Sequence, residues 1–201
     1  HAYFNLGGIS ISPDNSMAAF STDVVSRRQY TLQIKNLITG EIYDDKVLNT
    51  TGSATWANDN KTLFYTMKDD VTLRSEKVFK HKLHTDTKQD IEIYHEEDET
   101  FNTFVYKTKS KKYIVIGSSS TLSSEYRFLD ANTPDGDFKI FQKRVKDLEY
   151  NIAHYNDSFY VITNADDATN FKLLKTPEST TEKENWEEVI PHRSHVLIED
   201  I

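Results

Sequence analysis

The densest chemistry-bearing stretch is "HEEDET", residues 95–100, where Glu96, Glu97, Asp98 and Glu99 stand side by side. Paired carboxylates can serve as acid and base in glycoside hydrolysis. A run at the junction of two repeating units reads instead as a solvated acidic edge. His81, His84 and His95 lie nearby. Residues three apart on a strand point to opposite faces, so His81 and His84 are not expected to share a metal ion. "DANTPDGD" (130–137) begins like a calcium loop. Pro134 takes a ligand place and Phe141 stands where the bidentate Glu belongs, which leaves a turn.

Nucleophilic catalysis finds no support either. The strained Ser elbow of hydrolases needs Gly-x-Ser-x-Gly, and the six glycines, at 7, 8, 40, 52, 117 and 136, include no pair four apart. That spacing also excludes a P-loop and a dinucleotide fingerprint. Ser118, Ser119 and Ser120 therefore read as strand-end or loop hydroxyls. Ser12 and Asp14 fit a sialidase-type Asp box, but Ser16 and Ala19 replace its Gly and Trp. No catalytic residue, cofactor or metal ligand is expected. "SRRQY" (26–30) places Arg27 and Arg28 just before a strand. Their planar forks suit a carboxylate on another domain, or else an exposed ion pair of little energy. Three formal glycosylation sequons begin at Asn49, Asn60 and Asn156, and two coincide with repeating turns.

Those turns organise the chain. "SPDNSMAAFSTD" (12–23), "WANDNKTLFYTMKD" (56–69), "YKTKSKKYIVIGSS" (106–119) and "HYNDSFYVITNADD" (154–167) each join a polar turn to an apolar strand. They recur at about 45 to 50 residues, the period of propeller blades. Short Asx and Ser side chains cap such turns and tolerate left-handed backbone. Ala18 and Ala19 suit a crowded strand near an axis. A second strand follows each time ("QYTLQIKNL", "SEKVFKHKL", "SEYRFLDA", "NFKLLKT"), then a third ("EIYDDKV", "DIEIYHEE", "FKIFQK", "WEEVIP"). Thr39-Gly40 reads as a two-residue turn before its strand. Only "TEKENWEEV" (181–189) tempts a helix. The expected fold is all-β, a partial β-propeller of about four blades, each a roughly four-stranded antiparallel meander, near 8–49, 51–98, 100–147 and 148–195.

Composition agrees: 11 Tyr and 11 Phe among 201 residues favour pleated, half-buried surfaces. The net charge of −8 argues against a nucleic-acid partner, and no apolar run nears the roughly 20 residues of a membrane helix. Without Cys there is no disulfide framework and no thiolate, and the compartment stays open. The abrupt ends, with "HVLIEDI" like a strand cut short, point to a piece of something longer.

Collinear stretches resemble the oligopeptidase B branch of the prolyl oligopeptidase family of serine peptidases: "LGGISISPDN", "SRRQYTLQIKNLITGEIY", "ATWANDNKTLFY", "IYHEEDETF", "SEYRFLDA" and "NWEEVIPHR". The resemblance implies a seven-bladed propeller that lids an α/β-hydrolase domain, admits short peptides and leaves cleavage after basic residues to a triad outside this chain. The partners it implies are peptide substrates, the hydrolase domain and the remaining blades. Arg27 or Arg28 then becomes a contact to the hydrolase domain. Glu96, Glu97, Asp98 and Glu99 become a contact for cationic peptides. Bare end blades imply self-association. The other class of reading is a stand-alone propeller scaffold for protein partners.

Overall fold

The computed structural model describes residues 2–201. Its strands are β1 (Asn5–Ile11), β2 (Met17–Asp23), β3 (Tyr30–Asn36), β4 (Ile42–Trp56), β5 (Thr62–Lys68), β6 (Ser75–Lys82), β7 (Ile91–His95) and β8 (Asn102–Lys107). Then come β9 (Tyr113–Ser119), β10 (Ser124–Asp130), β11 (Lys139–Gln142), β12 (Tyr150–Tyr155), β13 (Ser158–Thr163), β14 (Lys172–Pro177) and β15 (Glu187–Ile190). They form three antiparallel sheets, in the orders β1 through β7, β11-β10-β9-β8 and β12 through β15. Among the described residues helix is confined to 3-10 turns at Thr87–Gln89 and Lys183–Asn185. The stretch that tempts a helix becomes such a turn followed by β15. No helix among the described residues is long and apolar enough to cross a membrane.

The seven-stranded sheet folds back on itself at β4. Thr50 pairs with Tyr30 on one side and with Met67 on the other, while Ile42 lies beside Lys35 and Trp56 beside Leu63. The two halves of β4 come back to one region, because Asp45 meets His81, which pairs with Leu63, the partner of Trp56. The reversal is made by Asn49 at φ 58° and Gly52 at φ 100°, backbone that glycine and Asn accept most readily.

Three apolar clusters hold successive strand sets together. Met17, Ala19, Leu32, Ile34 and Val47 pack on Trp56, Leu63 and Tyr65. Phe64 and Val78 pack on Val105, Ile114, Ile116 and Leu129. Tyr113, Val115, Phe128 and Phe141 pack on Tyr150, Ile152, Phe159 and Val161. Burial of each Val, Leu, Ile, Met or Phe among them contributes about 1.5–3 kcal/mol of transfer free energy. First strands are also joined directly: Trp56 Nε1 donates to Ser10 O at 3.0 Å, Thr55 Oγ1 to Val105 O at 3.3 Å and Tyr106 OH to Ile152 O at 3.1 Å.

Two local expectations are corrected. The turn before β4 spans Leu37 to Gly40, because Asn36 Oδ1 accepts the N–H groups of Ile38 and Thr39 and stabilises a wider loop. "HVLIEDI" forms no strand: Arg193 bridges Val196, and Ile198 N donates to Asn170 O at 3.1 Å without a ladder partner.

Candidate functional site

Antiparallel connectivity sends the loops alternately to two ends of the sheets, and side-chain bonds identify the ends. On one face the repeating turns touch in succession. Asp14 N donates to Asn60 Oδ1 at 2.9 Å, Asn58 Nδ2 to Lys111 O at 3.0 Å, and Ser110 Oγ meets His154 Nδ1 at 2.8 Å. Asn15, Asn60, Lys111 and Asn156 all have φ between 53° and 63°. Asn49 is left-handed too, so every sequon Asn serves a turn.

The opposite face gathers the charged loops. Between β2 and β3 the buried Asp23 carboxylate accepts the backbone N–H groups of Val25, Ser26, Arg27 and Arg28 at 2.8–3.0 Å. Burial opposes its ionisation, but the four donors hold its pKa below the usual carboxylate range. Asp23 thus shapes a loop that presents exposed Arg27 and Arg28. Lys68 Nζ, at the end of β5, donates to Arg28 O at 2.7 Å. Burial and the Arg28 charge both lower the Lys68 pKa, only partly countered by Asp23. The Lys68 and Arg28 charges are thus close enough to act on each other, beside a carboxylate already engaged by backbone.

The acidic run between β7 and β8 is not uniformly solvated, which corrects the expectation for Glu96. Glu96 is 4% exposed. Its carboxylate accepts from Arg144 Nη2 at 2.5 Å and from Tyr94 OH at 2.6 Å. Burial raises its pKa, yet Arg144, Tyr94 and the other donors prevail and hold it low. Arg144 stacks on Phe101 with 3.5 Å from its guanidinium carbon to the ring centroid. Arg74 fixes the loop backbone through the carbonyls of Glu96, Asp98 and Phe101. Glu97 and Glu99 remain exposed, while exposed Asp98 accepts from Thr100 and lies 3.6 Å from Arg144. Arg27 and Arg28 sit at this same end on a separate loop.

Two charged clusters form only through tertiary packing and carry no signature in the sequence. His81 is fully buried between Asp45 and Asp90. His84 instead stands exposed, 3.7 Å from Asp45. On the turn face, Ser110, His154 and Glu178 form a nucleophile-like row: Ser110 Oγ lies 2.8 Å from His154 Nδ1 and Glu178 Oε1 lies 2.6 Å from Nε2. Serine hydrolases place the nucleophile on Nε2 and the carboxylate on Nδ1. Here the order is reversed, and Lys112 Nζ neutralises Glu178 at 2.5 Å. This row clamps β12 and the loop after β14 to the β8–β9 turn.

Meanders packed face to face, with first strands bonded one to the next, define a β-propeller domain. The chain belongs to the family described as prolyl oligopeptidase, N-terminal β-propeller domain, which matches residues 1–201. It is 40% identical to dipeptidyl aminopeptidase BI of Pseudoxanthomonas mexicana over 98% of its length, and 30% identical to protease 2 of Moraxella lacunata over 94%. Oligopeptidase B from Leishmania major superposes with TM-score 0.92 at 28% identity over 99% of the chain. The chain spans 27%, 29% and 28% of those three proteins.

Proposed function

We propose that this chain is a non-catalytic propeller segment of a serine oligopeptidase, lidding an α/β-hydrolase domain and restricting its substrates to short peptides cleaved after basic residues. The observation that carries the reading is the collection of charged loops on one face, where, among the described residues, no carboxylate forms an ion pair with Arg27, Arg28 or Lys68. A carboxylate of the hydrolase domain fits that cluster, and Arg forks suit it. Exposed Glu97 and Glu99, on the same face, are placed to meet cationic peptides.

In this reading the segment comprises four blades near 8–49, 51–98, 100–147 and 148–195. The reversal of β4 at Asn49–Gly52 supports dividing the seven-stranded sheet into two sets of four, with β4 serving both. Further blades cover exposed Leu6, Ile9 and Ile11 of β1, which makes a second copy unnecessary there. Charge reversal Arg28→Glu in the whole enzyme tests the contact. A fall of tenfold or more in kcat/KM for short arginyl peptides supports it, and unchanged kinetics overturn it.

A second reading of the substrate follows the 40% identical relative, which is named a dipeptidyl aminopeptidase. Sizing the products from an unblocked peptide of about ten residues separates the two. Release of successive dipeptides from the N-terminus favours this reading, and internal cleavage favours the first.

A further inference from the structure

On the turn face a cleft of about 460 Å³ opens where β1, β4 and β8 end. Ile11 and Tyr106 supply apolar walls over the buried Trp56, and Lys107 and Lys111 line it as well. Both lysines come from "YKTKSKK" (106–112), a basic stretch in a chain of net charge −8. Lys107 Nζ donates to Asn58 Oδ1 at 2.9 Å. Among the described residues no carboxylate comes within ion-pair distance of it.

The half-buried ammonium is therefore uncompensated. Burial and the neighbouring charge of Lys111 push its pKa down to about 8, with Asp59 on the β4–β5 turn opposing them only in part. Asp200 shares with Lys107 the adjoining cleft under Phe104 and Tyr126. A buried charge without a partner is costly, and an anion entering the cleft relieves that cost. The apolar walls favour an anion with a hydrocarbon body over a bare inorganic ion.

We propose that this cleft binds the carboxylate of a short peptide, with Lys107 and Lys111 holding the anion and Ile11 and Tyr106 covering the adjacent apolar part. The site lies on the face opposite Arg27 and Arg28 and requires no hydrolysis, so it stands or falls independently of the peptidase reading. Binding of a carboxylate stabilises the charged amine, and affinity declines as pH rises above about 8.

The test is an NMR titration of the isotope-labelled 201-residue chain at pH 7. The probes are acetyl-Ala-Ala-Ala as free acid, the same peptide as amide, and acetyl-Ala-Glu-Ala amide. Saturable shifts at Lys107 and Lys111 with the free acid, at least tenfold weaker with the first amide, support the site. Binding of the Glu peptide adds the side-chain carboxylate as a source, and its failure assigns the C-terminus. Lys107→Gln should weaken binding tenfold or more, whereas Lys109→Gln, outside this cleft, should change it less than twofold. Equal response to acid and amide in the unsubstituted chain, non-saturable shifts, or indifference to Lys107→Gln overturns the proposal.

Discussion

His81 Nε2 lies 3.0 Å from Asp45 Oδ1, in a site where the histidine side chain is fully buried and the aspartate 3% exposed. The other ring nitrogen faces Asp90 at 2.7 Å, and Tyr65 OH donates to the second Asp90 oxygen. His84 approaches Asp45 at 3.7 Å from the exposed side. Two carboxylates on opposite nitrogens call for an imidazolium. It clamps the first half of β4 to β6 and to the turn before β7.

Burial lowers the His81 pKa, but hydrogen bonds and charge from Asp90 and then Asp45 outweigh it and raise it above 6.5. The stabilising contribution is fully present below the unfolded-state value near 6.5 and is lost as pH rises through the folded value. Urea unfolding should show stability falling with pH in that window, by up to about 1.4 kcal/mol per pH unit for one proton. His81→Gln should cost about 3–5 kcal/mol at pH 6 and flatten the profile. An unaltered pH slope in the variant contradicts the clamp.

Asp23 acts on its loop through backbone donors. Asp23→Ala should raise amide exchange at Val25, Ser26, Arg27 and Arg28 by tenfold or more, while the β2 and β3 ladder amides stay protected. Exchange followed by NMR distinguishes this from general unfolding, in which all of them accelerate together.

Glu96 and Arg144 join the loop after β7 to the loop after β11. The Arg144 side chain is 26% exposed and that of Glu96 5%, so solvent screens part of the interaction. Arg144→Met should destabilise the chain by roughly 2–4 kcal/mol, below the upper end for a broken buried pair. Chemical denaturation measures it, and a loss below about 0.5 kcal/mol would reduce the pair to an ordinary surface contact.

Gly117 on β9 makes room for an aromatic ring, since a Cβ there would overlap Phe104 and come within 2.9 Å of Tyr126. Gly117→Ala should cost about 1–3 kcal/mol by overpacking. Combining it with Phe104→Ala should recover part of that cost in a double-mutant cycle. Additive losses would mean that Phe104 moves aside freely.

The repeating turns made most of the fold legible, because Asp14, Asp59 and Asn156 have a local reason to be where they are. Asp14 accepts from Ser16 N, and Asp59 from Lys61 N and Thr62 N. The third copy is less regular: its left-handed residue is Lys111, one place beyond Ser110. The reversal inside β4 falls at Asn49 and Gly52, beside the expected unit boundary at 49–51, but the sequence does not signal that one strand runs through it, since "NTTGS" carries strand-forming threonines. Arg27 and Arg28 could be singled out from the sequence, but Asp23, which shapes their loop, could not. Its partners are backbone groups without a sequence signature. Glu96 was indistinguishable from Glu97 because its burial depends on Arg144, 48 residues away. His81 looked like half of an unsuitable metal pair, since Asp45 and Asp90 meet it only through tertiary packing.

Amide exchange of the segment alone and within the whole enzyme is the most direct check on how the chain is used. If the charged loops face the hydrolase domain, amides in 24–28, 69–73 and 96–101 gain protection in the whole enzyme, while those in 12–16, 58–61 and 108–112 do not. Protection confined to the turn face, or none on either face, contradicts that orientation.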